Sequence, residues 1–579
     1  MTQVLSNPLR RLARLHGVQL SYVDAEGVRR AARREPLEGV LRALGVDVDS
    51  EAGLADQCRE AERAEWIRPL PPVVVAWDGV LRDLPLRLPA SEARGEASLE
   101  IRLEDGGVIH TEFSLSGEAP QGATELDGVA YVRLAPVEQF GIPAGYHQLT
   151  LTWPRGQAQS RLLSAPMRVW SHGSETGGSA PSWGAFAPLY ALRREDDWGI
   201  GDFTSLERTG RWIASLNEPE QRSLLGVLPL QDCFLDEPYA FSPYTPITRL
   251  FWNEVFIDPT RAPEWDRCES ARAAISERAA VESLEAARSS RIVDYREVAR
   301  LKTAAIDAMA DYLIEEGGSR KDELLAWSRA RPEAARYARF RAAAKRAGAG
   351  WGAWPAHDFS VEPPQELINR EEVERRLYAQ WLAESQLRAA DAGMQSAGAD
   401  LYLDMTLGVH PDGFDTWRFH DSFAQGVSTG APPDALFSGG QNWGFPPLHP
   451  TRIRENGHEY WIRAVRAQMS AARVLRIDHV LGLHRLYWIP EGVDARQGVY
   501  VRYPAEEMYA VLSIESHRAR SRIVGENLGT VPAYINRAMD RHDLARMHVA
   551  QFTVDPKRKR PIKAPPSRSL ASFNTHDTP

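Results

Sequence analysis

Cysteine is scarce in this chain: Cys58, Cys233 and Cys268 are its three thiols among 579 residues, widely separated and in no metal-like pattern. Neither a disulfide framework nor a thiolate zinc site is compatible with that spacing, which points to a reducing compartment. A basic excess is also missing. Lysine and arginine number 69 against 78 aspartates and glutamates, a formal net charge of -9, so there is no electrostatic footprint for nucleic acid or an anionic membrane. No stretch approaches the roughly 20 apolar residues of a membrane span, and no apolar run follows the charges of Met1 to Arg11. The sequence therefore predicts a soluble, cytoplasmic protein whose partner is neutral or small. His-x-His and His-Glu-x-x-His are lacking too, which removes the usual spacing of metal ligands.

What is present falls into segments of different period. In residues 1–68, Leu9, Leu12 and Leu15 lie at helical spacing, as do Leu37, Val40, Leu41 and Leu44 before Gly45, predicting a small helical segment. Over 69–170 the pattern becomes short alternating runs, such as Leu99, Ile101, Leu103 and Leu149, Leu151, Trp153, between Gly, Pro and Asp turns; this predicts a β-sandwich. Residues 171–182, rich in Gly and Ser, read as a linker. From Trp183 strands alternate with helices, the signature of a parallel sheet with crossover helices. Seven strands are predicted: Trp183–Leu192, Ser223–Leu230, Asp400–Asp404, Arg473–Asp478, Arg522–Glu526, Met547–Thr553 and Ser569–Thr575. Asp202 is placed to cap a helix containing Leu206, Trp212 and Ile213. A mostly helical insertion fills about 262–395, too long for a simple loop. The fold class is α/β, a (β/α)8 TIM barrel with about seven strands present. Because the sequence stops at Pro579, directly after the seventh strand, it predicts a barrel truncated before the eighth, with the edges of the first and seventh strands left open.

Reactive groups of such barrels sit at the carboxyl ends of strands. Three predicted strands finish in carboxylates: the fourth in Arg476-Ile477-Asp478-His479, the fifth in Gly525-Glu526 and the seventh in Thr575-His576-Asp577. Among 78 acidic residues one such end is ordinary; the combination carries the signal. By the two-residue strand period Arg476 and Asp478 share a face, so the guanidinium can hold the carboxylate ionised, as a nucleophile requires. Glu526 follows apolar Ile523 and Val524, where desolvation and a nearby anion would raise its pKa toward that of a general acid. Attack by one carboxyl and leaving-group protonation by another is the chemistry of glycoside cleavage, with Asp577 available to stabilise positive charge on the sugar ring.

The blocks Trp198-Gly199-Ile200-Gly201-Asp202-Phe203, Ser242-Pro243-Tyr244, Arg476-Ile477-Asp478-His479, Gly525-Glu526-Asn527-Leu528-Gly529 and Thr575-His576-Asp577 resemble the amylomaltase (4-alpha-glucanotransferase) family of the alpha-amylase clan. The likeness runs from about Trp183 to the end, and the amino-terminal region is similar to that of the longer bacterial members. The resemblance implies Asp478 as nucleophile, Glu526 as acid/base and Asp577 as transition-state stabiliser, with no metal or organic cofactor. It further implies sugar contacts for His479, His576 and Asp404, and acceptor contacts for Asp434 and Trp443 in the loop Ala431 to Gly444. Arg476, Ser242 and Tyr244 complete the implied binding set, Tyr244 as a stacking platform. Each has an unexceptional alternative: a buried histidine, an ion-pair partner, a loop-fixing aspartate, a packed tyrosine or an ordinary glycine-rich loop. One departure is Asn527, where the family pattern has an aspartate; only an interaction behind Glu526 is affected.

The resemblance thus implies a transferase passing α-1,4-glucan segments from malto-oligosaccharide and α-glucan donors to glucose or malto-oligosaccharide acceptors. Double displacement demands that the Asp478 and Glu526 carboxyls stand about 5 to 5.5 Å apart. The alternatives are an alpha-amylase-like retaining hydrolase, a metal-dependent hydrolase on the same barrel, and a catalytically impaired glucan-binding fragment.

Overall fold

The computed structural model describes residues 6–576, apart from 25, 51–52, 136, 172–181, 219–220, 356–361 and 435–436. Most of the segment read as a linker and Asp577 thus lie outside the described residues. The chain divides into two compact units: one holds 1–170, 421–465 and 479–579, the other 171–420 and 466–478.

In the first unit the leucine spacing produces helices Asn7–Leu15 and Arg34–Ala43, which bury Leu9 and Leu12, and Leu37, Val40 and Leu41. A five-stranded sheet follows, in the order Val73–Trp77, Gly156–Ala165, Gly145–Trp153, Glu96–Arg102, Val108–Ser114. A three-stranded sheet in the order Leu86–Pro89, Val129–Leu134, Gly122–Leu126 accompanies it. Alternation turns Leu99, Ile101, Leu149 and Leu151 inward to meet Leu86 and Leu88 in one shared core. The sandwich is bonded to the helix Ala505–Ala519 of the same unit. Tyr146 Oη donates to Glu515 at 2.8 Å, the Trp170 N–H to Ser516 Oγ at 2.9 Å and Ser513 Oγ to the Pro166 carbonyl at 2.6 Å. The unit also contains three parallel strands, Arg522–Gly525, Ala545–Val549 and Ser569–Ser572. A four-stranded antiparallel sheet runs Gln441–Asn442, Val427–Ala431, Arg485–Pro490, Val499–Arg502.

The second unit carries four parallel strands in the order Trp183–Phe186, Ser223–Gly226, Ala399–Met405, Val474–Ile477. All seven residues of Ala399–Met405 are buried, as a strand covered on both faces requires. Asp202 caps the helix Phe203–Ser215, accepting from the Ser205 N–H at 2.9 Å, and is itself paired with Arg194 at 2.8 Å. The long insertion is helical, with Tyr295–Glu316, Pro332–Ala347 and Arg370–Ser396 as its longest members. Its aromatic core joins Tyr337 and Phe340 to Phe251, Phe414 and Trp417.

Among the described residues, these seven parallel strands and the helices between them are those of a (β/α)8 TIM-barrel fold, with seven strands present as the sequence pattern predicts. Their starts agree with the sequence pattern to within two residues, whereas most end earlier than predicted. The first stops at Phe186 and the second at Gly226, although Leu189, Val227 and Leu230 beyond them are buried. Apolar content continues past the last ladder bond because the loops at the barrel's carboxyl end are themselves packed.

Leu151 is fully buried between the two sheets of the sandwich. Leu151→Ala is expected to cost about 2–5 kcal/mol in guanidinium-induced unfolding, because the cavity it leaves cannot fully collapse.

Candidate active site

In the second unit the parallel register sets Asp404 on the third strand beside Arg476 on the fourth. Arg476 Nη1 donates to both Asp404 oxygens, at 2.6 and 2.8 Å, and lies 3.0 Å from Asp478 Oδ1. The same-face placement read from the strand period is therefore a physical contact. Tyr244 Oη donates to Asp404 Oδ2 at 2.8 Å, and the Asp478 N–H to the Met405 carbonyl at 3.1 Å. Burial separates the two carboxylates. The Asp404 side chain is 0% exposed and that of Arg476 2%, whereas Asp478 keeps 22% of its side-chain surface. Burial pushes the Asp404 carboxyl up against the pull of Arg476. It also pushes the Tyr244 hydroxyl up, with the Asp404 charge adding to the effect, so the phenol remains a donor at any working pH. Ser242 is exposed, and its Oγ accepts from the Tyr244 N–H at 3.4 Å.

In the first unit Glu526 follows the fifth strand and is buried. Main chain faces it: the His479 N–H donates to Oε2 at 3.0 Å and the Leu528 N–H to Oε1 at 2.6 Å. His479 reaches that bond from left-handed backbone, φ 47° and ψ 63°, a conformation that costs a β-carbon-bearing residue energy. Its ring meets Trp443 edge-on, with centroids 5.3 Å apart, and Trp443 in turn stacks on Phe445 at 6.0 Å. Asp434 Oδ1 accepts from the Phe437 N–H at 2.7 Å, a turn-fixing bond in the loop that carries Trp443; Ala435 and Leu436 between them lie outside the described residues. His576 is half-buried after the seventh strand. Asn527 uses both ends of its amide, Nδ2 donating to Asn536 at 2.9 Å and Oδ1 accepting from the Met547 N–H at 3.1 Å. The departure from the family pattern thus sits in a contact between the fifth and sixth strands, directly behind Glu526.

Sequence reasoning did not anticipate the Tyr244–Asp404 bond, nor that Asp404 would be enclosed. The residues were visible, but the pairing brings the segment after the second strand onto the third strand from a distant part of the chain, which no local period encodes. Among the described residues, no group of three or more His, Cys, Asp or Glu side chains is arranged to hold a metal ion.

A carboxylate at the carboxyl end of a strand, fixed by a buried guanidinium and still open to solvent, is the kind of group that enzymes of this barrel class present. The 4-alpha-glucanotransferase family matches residues 187–579, and the MalQ N-terminal beta sandwich domain matches 69–166. A 4-alpha-glucanotransferase of Mycobacterium tuberculosis is 29% identical over 605 aligned residues, covering 99% of this chain and 80% of the relative. One of Haemophilus influenzae is 30% identical over 464 residues, covering 76% and 65%. Among solved structures, amylomaltase from Corynebacterium glutamicum superposes with a TM-score of 0.83 at 28% identity, covering 99% of this chain and 79% of that one. The chain belongs to the 4-alpha-glucanotransferase family and is a transferase of the amylomaltase type.

Replacing Arg476 by lysine keeps the charge, but the shorter, tetrahedral ammonium does not set a donor where Nη1 stands between Asp404 and Asp478. Arg476→Lys is expected to lower the transfer rate about a hundredfold, through misplacement of Asp478, while circular dichroism remains that of the wild type.

Proposed function

We propose that this transferase moves α-1,4-glucan segments between malto-oligosaccharides by retaining double displacement, with Asp478 as nucleophile and Glu526 as acid/base. The observation that carries the reading is the Arg476 bridge, which fixes an accessible Asp478 against a wholly enclosed Asp404. Glu526 protonates the glycosidic oxygen as Asp478 attacks the anomeric carbon, breaking the C–O bond and forming a β-linked glycosyl-enzyme. The reducing-end fragment departs with the proton. Glu526, now a base, takes the proton from an acceptor's 4-hydroxyl, whose oxygen displaces Asp478 from the opposite face and restores the α-1,4 link. Asp577 stabilises the charge that develops on the ring in both steps.

In this reading Asp404 acts through Arg476, since both of its oxygens are already engaged by protein. His479, His576, Ser242 and Tyr244 meet donor sugar, and Asp434 and Trp443 hold the acceptor. The Trp443 ring, half-buried against His479 and Phe445, has the apolar face that a pyranose ring stacks on. Donors are malto-oligosaccharides and α-glucans, and acceptors glucose or malto-oligosaccharide. A solved amylomaltase from Streptococcus agalactiae in complex with acarbose, 19% identical with a TM-score of 0.58, shares the fold. The division we propose is a helical segment at 1–68, a β-sandwich at 69–170, a linker at 171–182 and the barrel at 183–579, with its insertion at 262–395. Three free, buried cysteines support a cytoplasmic location, and no helix among the described residues is long and apolar enough to cross a membrane.

Asp478→Asn is expected to abolish disproportionation of maltotriose while leaving its binding, followed by tryptophan fluorescence, within about threefold of wild type. Normal turnover by that variant would remove Asp478 from the role. Incubation of the wild type with maltotriose should yield longer oligosaccharides with retained anomeric configuration by NMR; glucose and maltose alone would favour the amylase-like hydrolase. Activity should survive exhaustive chelation, as a chemistry carried by carboxylates alone requires.

A further inference from the structure

The second strand does not lead straight into the next helix. Between Asp232 and Ile247 the chain makes an excursion that carries Ser242 and Tyr244, and Asp232 stands at its root. The Ile247 N–H donates to the Asp232 carbonyl at 2.8 Å and closes the excursion, while the Asp232 N–H bonds the Phe251 carbonyl at 3.1 Å. Its carboxylate is divided between that segment and the insertion. Oδ1 accepts from the Cys233 N–H at 2.9 Å, and Oδ2 accepts from the Tyr337 hydroxyl on the insertion helix Pro332–Ala347. Arg341, one turn further along that helix, brings Nε to 3.7 Å from Oδ2, and its guanidinium lies over the Phe234 ring. Inside the excursion, the Ala240 N–H bonds the Phe234 carbonyl at 2.9 Å and the Cys233 thiol points at the Ser242 carbonyl at 3.5 Å.

A carboxylate at 3% exposure is expensive to keep. Burial, reinforced by Glu254 and Asp236, pushes this one up to about 7 even though Arg341 and the Tyr337 hydroxyl pull it down. An apolar side chain would pack there without that penalty but could not accept from both Cys233 and Tyr337. The reaction as derived makes no use of Asp232, so its cost is unexplained by chemistry at the sugar.

We infer that Asp232 is a positioning residue, fastening the 233–246 excursion to the Tyr337–Arg341 face of the insertion helix and thereby fixing Tyr244 where the donor binds. The insertion acquires a role in this way: it is the wall to which a substrate-bearing segment is pinned. The part of the inference that concerns the donor rests on the proposed use of Tyr244, whereas the fastening itself does not.

The experiment is amide hydrogen exchange on the full chain, followed by maltotriose kinetics, for Asp232→Ala, Asp232→Asn and Tyr337→Phe. Asp232→Ala should speed exchange across the excursion about tenfold, the loss of two hydrogen bonds from a local opening, with the rest of the second unit unchanged. It should raise KM about fivefold with kcat within twofold. Asparagine restores an acceptor for the Cys233 N–H without the charge, so Asp232→Asn should recover most of both effects. Tyr337→Phe, which alters no volume of consequence, should loosen the same segment about threefold. Unchanged exchange over 233–246 in both Asp232→Ala and Tyr337→Phe would overturn the inference, as would exchange that accelerates equally throughout the unit. Altered exchange with an unmoved KM would overturn the assignment of Tyr244 as the beneficiary. A wild type without turnover would speak against the transferase mechanism and leave the exchange result to decide the fastening.

Discussion

A guanidinium taken out of water must find acceptors or it destabilises the fold that holds it, and Arg476 finds them in Asp404 and Asp478. Two different features of the strands deliver these partners. Register places Asp404 directly across from Arg476 on the neighbouring strand, and the two-residue pleat places Asp478 two positions on along its own. With Tyr244 bonded to the far side of Asp404, the third strand, the fourth strand and the excursion after the second are joined by one charged centre. Everything proposed for Asp478 presupposes this arrangement, since a nucleophile on a short side chain has little freedom to correct an error in its anchor.

Glu526, which the proposed reaction uses as acid/base, is held by other means. Its oxygens rest on the main-chain amides of His479 and Leu528, and the first of these is available because His479 turns left-handed at the end of the fourth strand. Backbone strain of this kind persists only where the surrounding structure over-determines it, and here the bond to Glu526 is part of what holds it. Asn527, spanning from the fifth strand to the sixth with its amide, stiffens the backbone from which Glu526 projects.

Much of this was readable in one dimension. Alternation located the sandwich and the barrel strands, because an edge-to-core period of two survives in sequence wherever one face is buried, and a continuous apolar run marks a strand such as Ala399–Met405. Asp202 was legible as a cap from its place before an apolar stripe. The Arg476–Asp478 contact followed from spacing. Less visible was everything that depends on partners distant in the chain. The antiparallel sheet built from 427–431, 441–442, 485–490 and 499–502 was missed, since Val499–Arg502 and Gln441–Asn442 are too short to carry a period. Asp232 gave no signal at all: an aspartate after Pro229-Leu230-Gln231 looks like a turn residue until Tyr337, over a hundred positions later, is seen bonded to it.

The seam between the sandwich and the helix Ala505–Ala519 bears on how such an enzyme can change over time. Tyr146, Glu104 and the carbonyl of Pro166 meet Glu515, Arg518 and Ser513, polar groups on a helix that directly precedes the Glu526 strand. A helix with Glu515 and Ser516 wholly enclosed is committed to its neighbour, because stripping that neighbour away would leave a surface selected for an interior. The amino-terminal region therefore cannot be shed by simple deletion; a barrel without it would first need the outer face of this helix rewritten, residue by residue.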